Sequence, residues 1–186
     1  VTSVRDGSVD FGISGWDIFS ERQGENGEMM VLLPELKTSY CTLNVIVPEN
    51  LETISTMADL AKWQAEIRRP LRVATKFPNL TKAFFCDRGL SNIQMISAEG
   101  TLEIAPTIGY ADIIVDLISS GTTLRDNRLK VIEDGQILRS QACLIANRTA
   151  LRHRPEVLAD EAFGDAKVFC RRLARVVEPD IVVESS

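Results

Sequence analysis

Apolar positions along this chain fall into two patterns, short continuous runs and helix-spaced sets. The runs at residues 10–13, 42–48, 71–75, 93–98 and 113–118 read as strands, and residues 30–33 are a further short apolar run. Between them, Leu51, Ile54, Met57, Ala58, Leu60, Ala61 and Ala65 recur near helical spacing and predict a helix over 51–67, with Trp63 packing against the core. A second helix is expected over 80–89, with Phe84 and Phe85 on its apolar side and Gly89 as its stop. A short helix is expected within 99–110, where Leu102, Ile104, Ala105 and Ile108 are apolar. Residues 130–145 predict a β-hairpin that turns at Asp134-Gly135. Pro155 suits the first turn of a closing helix, with Leu158, Ala162, Phe169, Leu173 and Val176 along one face.

Alternating strands and helices imply an α/β architecture. Arg69-Pro70 interrupts the pattern and marks an expected crossing from one lobe to another. The expected organisation is lobe I over 1–70, lobe II over 71–146, and a return to lobe I with a tail over 147–186. A ligand is then expected in the cleft between the lobes.

Composition narrows the function classes. The chain has 186 residues, 45% hydrophobic and 25% charged, enough for one sizeable domain or two small lobes. Its net charge of −5 disfavours a nucleic-acid binder, so an anionic ligand must be held by local groups. No apolar run reaches the ~18 residues of a membrane-spanning helix. Cys41, Cys86, Cys143 and Cys170 are far apart and suggest neither a zinc site nor a disulfide framework. His153 is the only histidine, which disfavours a histidine metal cluster or a Ser–His pair, so no metal ligands are assigned. Val1 opens on what reads as the end of a helix running into a strand, so an opening element is expected to be missing.

The richest chemistry lies in residues 111–125. An apolar strand carries Asp116 near its carboxyl end and runs into Ser119-Ser120-Gly121-Thr122-Thr123. Such a loop offers free amides, hydroxyls and a residue that tolerates positive φ, and the helix behind it adds partial positive charge. The stretch reads either as a phosphate cradle with Asp116 beside it to accept sugar hydroxyls, or as a strand–helix joint that only caps the helix. Asp10-Phe11-Gly12-Ile13-Ser14-Gly15-Trp16-Asp17 is either a ligand-facing turn or a tight joint, with Asp17 able to cap the helix after it. Its spacing is not that of a dinucleotide fingerprint. Lys76, at a strand end, reads as a phosphate or pyrophosphate contact or as a surface lysine.

Four ordered blocks carry a resemblance. Residues 100–106, 109–116 and 119–124 together form one block that resembles the signature of ATP phosphoribosyltransferases, the first enzymes of histidine biosynthesis. Residues 10–17, 72–80 and 140–147 are similar to further segments of the same family, so the likeness covers roughly 1–150. The resemblance implies a two-lobed fold like type II periplasmic binding proteins. It implies transfer of 5-phosphoribose from phosphoribosyl pyrophosphate to N1 of ATP, with Mg²⁺ and release of pyrophosphate. Carried over, Ser119, Ser120, Gly121, Thr122 and Thr123 hold the 5′-phosphate, and Asp112 and Asp116 lie near the ribose as catalytic residues. Glu103, Asp17 and Lys76 are implied contacts for ATP or pyrophosphate. A homo-oligomer (dimer or hexamer) in the cytoplasm, or in the plastid stroma for a plant-type source, is also implied, with no nucleic-acid or membrane partner. Two features are not found in these residues: the family's opening strand with a Lys-Gly-Arg-type turn, and the C-terminal regulatory lobe of its long form, so the resemblance implies either a short form or a truncated long form. A chain without that opening unit is expected to fold poorly and to be inactive by itself. The competing readings are a small-molecule binding module of the same fold without catalysis, and a non-catalytic assembly subunit.

Overall fold

In a computed structural model of the chain, residues 1–22, 28–97, 101–119 and 122–153 are described. The expected closing helix after Pro155, and Cys170 with it, lie outside the described residues. The elements in order are α1 (Thr2–Arg5), β1 (Phe11–Gly15), α2 (Trp16–Arg22), β2 (Met29–Leu33), β3 (Cys41–Pro48), α3 (Met57–Ile67), β4 (Leu71–Thr75), α4 (Pro78–Cys86), β5 (Ile93–Ser97), β6 (Ile113–Ile118), α5 (Thr122–Asp126), β7 (Leu129–Ser140), β8 (Ala142–Asn147) and α6 (Arg148–His153). Where a short helix was expected within 99–110, the described residues hold a single 3-10 turn, Leu102–Ile104. Among the described residues no helix is long and apolar enough to cross a membrane.

The chain divides into two compact units, Val1–Ser14, Gln23–Leu36 and Ala142–Ser186 in one, Gly15–Arg22 and Lys37–Gln141 in the other. The described strands of the smaller unit form a sheet in the order β1-β8-β2, with β2 antiparallel to β8. Asn147 closes it locally: its side-chain amide donates to the carbonyls of Val4 and Arg5, and its Oδ1 accepts from the Ala150 amide at the start of α6.

The larger unit is a mixed sheet of order β5-β4-β6-β3-β7 among the described residues. β4 runs parallel to β5 and β6, and β3 runs antiparallel to β6 and β7. The expected boundary at residue 70 falls inside this unit, because β3 is inserted between β6 and β7 as an internal strand. One sheet face buries Leu43, Val45, Val73 and Val115 under α3 and α4, through Leu60, Phe84 and Phe85. The opposite face buries Ile46, Ala74 and Ile114 under Leu102 and Leu124, from the 3-10 turn and α5. Burial on both faces explains why β6 reads as an apolar run interrupted only by Asp116.

α3 starts later than its apolar spacing predicts. Thr56 and Asp59 form a capping box, Thr56 Oγ1 accepting from the Asp59 amide and Asp59 Oδ2 from the Thr56 amide, and this fixes the first turn. A further orphan amide, that of Met57, donates to Asp134 Oδ1 at 2.7 Å. Asp134 belongs to the stretch expected to turn a hairpin. It does not close a hairpin: β7 continues, with a bulge, to Ser140. Asn44 pairs with Gln136 and Ile46 with Val131, so Ile132, Glu133, Asp134 and Gly135 stand against the single residue Val45. The extra residues bulge out to α3, where the Glu133 amide also meets the Ser55 carbonyl. Gly135 is needed there by close approach, since a Cβ would lie 3.1 Å from Val45 Cβ and 3.0 Å from Ile132 Cβ. Replacing Asp134 with Ala is expected to cost about 1 kcal/mol, the usual loss for a helix N-terminal acceptor, as read by urea denaturation.

Candidate functional site

β6 leaves the core progressively. Ile113, Ile114 and Val115 are fully buried, Asp116 to Ile118 are half-buried, and Ser119 is exposed. Asp116 Oδ1 accepts from the Leu117 amide at 2.8 Å. Burial raises the Asp116 pKa above the ordinary carboxylate value, the Leu117 amide opposes this, the Glu103 carboxylate adds to it, and Lys76 opposes it. A pocket of about 60 Å³ opens beside it, lined by Glu103, Asp116, Ser119 and Thr123 with an apolar floor that includes Ile46, Ile114 and Leu124. Five of the residues expected in a site are thus gathered at the carboxyl end of β6: four around the pocket, and exposed Lys76 acting on Asp116 from the end of β4. Thr122 opens α5 beside them, whereas Ser120 and Gly121 lie outside the described residues. α5 has only five residues, so the N-terminal dipole is small and an anion here depends on hydroxyl and amide donors.

Asp112 is not brought to this pocket. It precedes β6 at the opposite end, four residues and so roughly 13 Å from Asp116 along an extended strand. Its side chain is 7% exposed and is held by two arginines. Arg69 donates to it at 2.6 and 2.9 Å, and Arg72 at 2.8 Å through Nη2 and 3.0 Å through its amide. Arg72 also reaches the Gly109 carbonyl. Burial alone would raise the Asp112 pKa, but the hydrogen bonds from Arg69 and Arg72 outweigh it and hold the carboxyl well below the usual range.

Asp17 sits in a separate cluster. It is 4% exposed, in the first turn of α2, where its amide donates to Ser140 Oγ and its carboxylate accepts from the Ser140 hydroxyl. The carboxylate folds back over Gly15, so that a Cβ at Gly15 would come 3.2 Å from Asp17 Cγ. The Cys41 thiol beside it is pushed up in pKa by burial and by the Asp17 charge, against a hydrogen bond from Ser140.

Two polar residues escaped the sequence reading. Glu21, buried on α2, accepts from the Asn79 and Leu80 amides at 2.8 and 2.9 Å and so caps α4, whose own N-cap Phe77 supplies no acceptor. The other is Asn44, buried at the centre of β3 and paired in register with Asp116. An asparagine inside an apolar strand run was the available signal, since Asn is depleted in strands.

The family model for HisG, ATP phosphoribosyltransferase, matches residues 1–164. ATP phosphoribosyltransferase 2, chloroplastic, of Arabidopsis thaliana is 40% identical over 163 residues, covering 85% of this chain and 39% of that protein. ATP phosphoribosyltransferase of Brucella suis is 43% identical over 159 residues, covering 82% of this chain and 69% of that one. Among solved structures, the ATP phosphoribosyl transferase (HisG:HisZ) complex from Thermotoga maritima is similar with a TM-score of 0.67 at 25% identity, over 96% of this chain and 75% of that chain. The periplasmic aliphatic sulphonate binding protein SsuA from Escherichia coli is similar with a TM-score of 0.54 at 18% identity, over 94% of this chain and 63% of that one, a likeness of fold alone. The fold is therefore the α/β fold of type II periplasmic binding proteins. The chain spans 39% of the length of the Arabidopsis proteins it matches.

Proposed function

This chain belongs to the HisG family of ATP phosphoribosyltransferases, and from that premise we propose that in its whole protein it transfers 5-phosphoribose from phosphoribosyl pyrophosphate to N1 of ATP, the first step of histidine biosynthesis. The observation that carries the reading is the gathering of Glu103, Asp116, Ser119 and Thr123 around one pocket at the end of β6. Ser119, Ser120, Gly121, Thr122 and Thr123 take the 5′-phosphate through hydroxyl and amide donors. Asp116 then accepts from the ribose hydroxyls. As the C1–O bond to pyrophosphate breaks, its electron pair leaves with the pyrophosphate and the adenine N1 lone pair forms the new bond to C1. The sugar carbon passes through an oxocarbenium-like state, which a carboxylate beside the ring stabilises. Adenine N1 is itself the nucleophile, so positioning supplies much of the remaining acceleration. Lys76 and Glu103 border either the leaving pyrophosphate or the nucleotide. Asp17, closed off by Ser140, fixes the end of β7 rather than touching substrate.

Among the described residues no group of three or more His, Cys, Asp or Glu could hold a metal. The pair Glu103 and Asp116 fits Mg²⁺ of another kind, an ion that arrives on substrate phosphates and needs one or two protein carboxylates. Glu103 and Asp116 would hold such an ion, which would supply neutralisation of the pyrophosphate charge. The whole protein works as an oligomer, dimer or hexamer, in the cytoplasm or plastid stroma.

Calorimetric titration of the chain with phosphoribosyl pyrophosphate tests this function. Thr123→Val is expected to weaken both phosphoribosyl pyrophosphate and ribose 5-phosphate by about 10-fold, the worth of one charge-assisted hydrogen bond. Unchanged affinity for both, or no binding by the folded chain, would favour a binding module for some other ligand.

A further inference from the structure

The sheet face that carries Asp116 continues beyond the pocket. Register sets Ile118, Thr42 and Arg139 in one row across β6, β3 and β7, and sets Asp116, Asn44 and Gln136 in the next. Paired positions share a face, so these side chains lie on the side of the sheet that holds Ile46 and Ile114. Asn44 Nδ2 donates to Thr42 Oγ1 at 2.7 Å and to the Thr42 carbonyl at 2.9 Å. The Thr42 hydroxyl is thereby held as an acceptor, and its own proton is left to donate. Arg139 is exposed, and among the described residues no carboxylate pairs with its guanidinium. In a chain of net charge −5, an arginine two strands from β6 with no carboxylate partner among the described residues is a local cationic feature. Neighbouring strands are about 4.8 Å apart, which puts β7 roughly 10 Å from β6 and within the reach of one extended arginine and a ligand with two phosphate-bearing ends.

We propose that Thr42 and Arg139, with Asn44 orienting the Thr42 hydroxyl, form a second anion subsite that takes the diphosphate group of a substrate. The subsite rests on the reading of residues 119–123 as the seat of the 5′-phosphate. A guanidinium fork matches two phosphate oxygens, and the adjacent hydroxyl adds a third donor. Phosphoribosyl pyrophosphate and ATP both carry a diphosphate, and the experiment separates them.

The test is calorimetry on the whole protein that contains this chain and on its Arg139→Gln, Arg139→Lys and Thr42→Val variants. The probes are inorganic pyrophosphate, phosphoribosyl pyrophosphate, ATP and ribose 5-phosphate. Arg139 is exposed, so its variants are expected to melt as the parent does. Arg139→Gln is expected to weaken pyrophosphate by about 10-fold or more and to leave ribose 5-phosphate within about twofold. Arg139→Lys should retain part of the affinity, and Thr42→Val should lose several-fold. A parallel loss for phosphoribosyl pyrophosphate alone assigns the group to that substrate, and a loss for ATP alone assigns it to the nucleotide. Unchanged affinity of Arg139→Gln for all three diphosphates overturns the subsite, as does failure of the parent chain to bind pyrophosphate. Failure of ribose 5-phosphate to bind refutes the 5′-phosphate seat instead, and the pyrophosphate titration still decides for or against Arg139.

Discussion

Asp112→Asn is expected to lower the stability of the chain by about 2–4 kcal/mol and to leave its affinity for ribose 5-phosphate within about twofold, because it removes the shared acceptor of two arginines from a nearly buried position. Asp112 accepts from both guanidiniums and from the Arg72 amide, and Arg72 in turn reaches the Gly109 carbonyl. The cluster ties the segment before β6 to the start of β4. Without the carboxylate, two cations face each other with no counter-charge. The arginines are themselves 44% and 32% exposed, which keeps the loss below that of a fully buried pair. The pH dependence has a defined sign. The Asp112 pKa is depressed in the folded chain, so its contribution is present above the unfolded value near about 4 and is lost as pH falls through the folded one. Urea denaturation of parent and variant between pH 7 and pH 3 checks this, and the two curves should converge toward acid. A variant as stable as the parent that no longer binds phosphoribosyl ligands would place Asp112 in the site.

Asp116→Asn is expected to do the reverse. The folded pKa of Asp116 is raised, chiefly by burial, so ionising it costs more in the folded chain than in the unfolded one. Its contribution is fully present below about pH 4 and declines as pH rises through the folded value. The asparagine removes that decline. At pH 7 the variant is expected to be more stable than the parent by about 1 kcal/mol, the order of magnitude for relieving a half-buried carboxylate of its charge. Affinity for phosphoribosyl pyrophosphate should fall by at least about 10-fold, and turnover of the full-length protein by about 100-fold or more, typical of losing a group aimed at developing charge. Melting curves, calorimetry and a pyrophosphate-release assay read the three effects. A destabilised variant with parental binding would make Asp116 structural.

These opposite signatures belong to two aspartates four residues apart, and sequence alone treats them alike. Asp112 precedes an apolar run and Asp116 interrupts it, and even spacing puts both on one sheet face. The partners that separate them, Arg69 and Arg72 for one and Glu103 with Lys76 for the other, are brought in by tertiary structure. What the sequence did disclose was local. The β6 run was legible because helices cover both its faces, and the Ser/Thr-rich loop was legible because its donors are consecutive. The capping box at Thr56 and Asp59 was also local, yet apolar periodicity upstream of it obscured the start of α3. Asp134-Gly135 carried a turn signal that serves equally for a bulge, and pairing with β3 decided between them. The boundary expected at residue 70 departs from the compact units for a related reason. Arg69-Pro70 does break the local pattern, but β3, earlier in the chain, is inserted between β6 and β7. Glu21 acquires its role only from residues far away in sequence, the amides of α4, and Asn44, which bonds Thr42 two residues away, is set beside Asp116 only by strand pairing.

The bulge in β7 has an effect beyond capping α3. Among the described residues β7 is an outer strand of its sheet and, at 12 residues, a long one. An uninterrupted ribbon of that length would present a row of unpaired backbone groups on which a strand from another molecule could dock and spread into aggregates. The displaced residues Ile132 to Gly135 split the ribbon into two short pieces and put Glu133 and Asp134, two negative charges, at the break. The stretch whose Asp134 caps the first turn of α3 thus also interrupts the edge of the sheet.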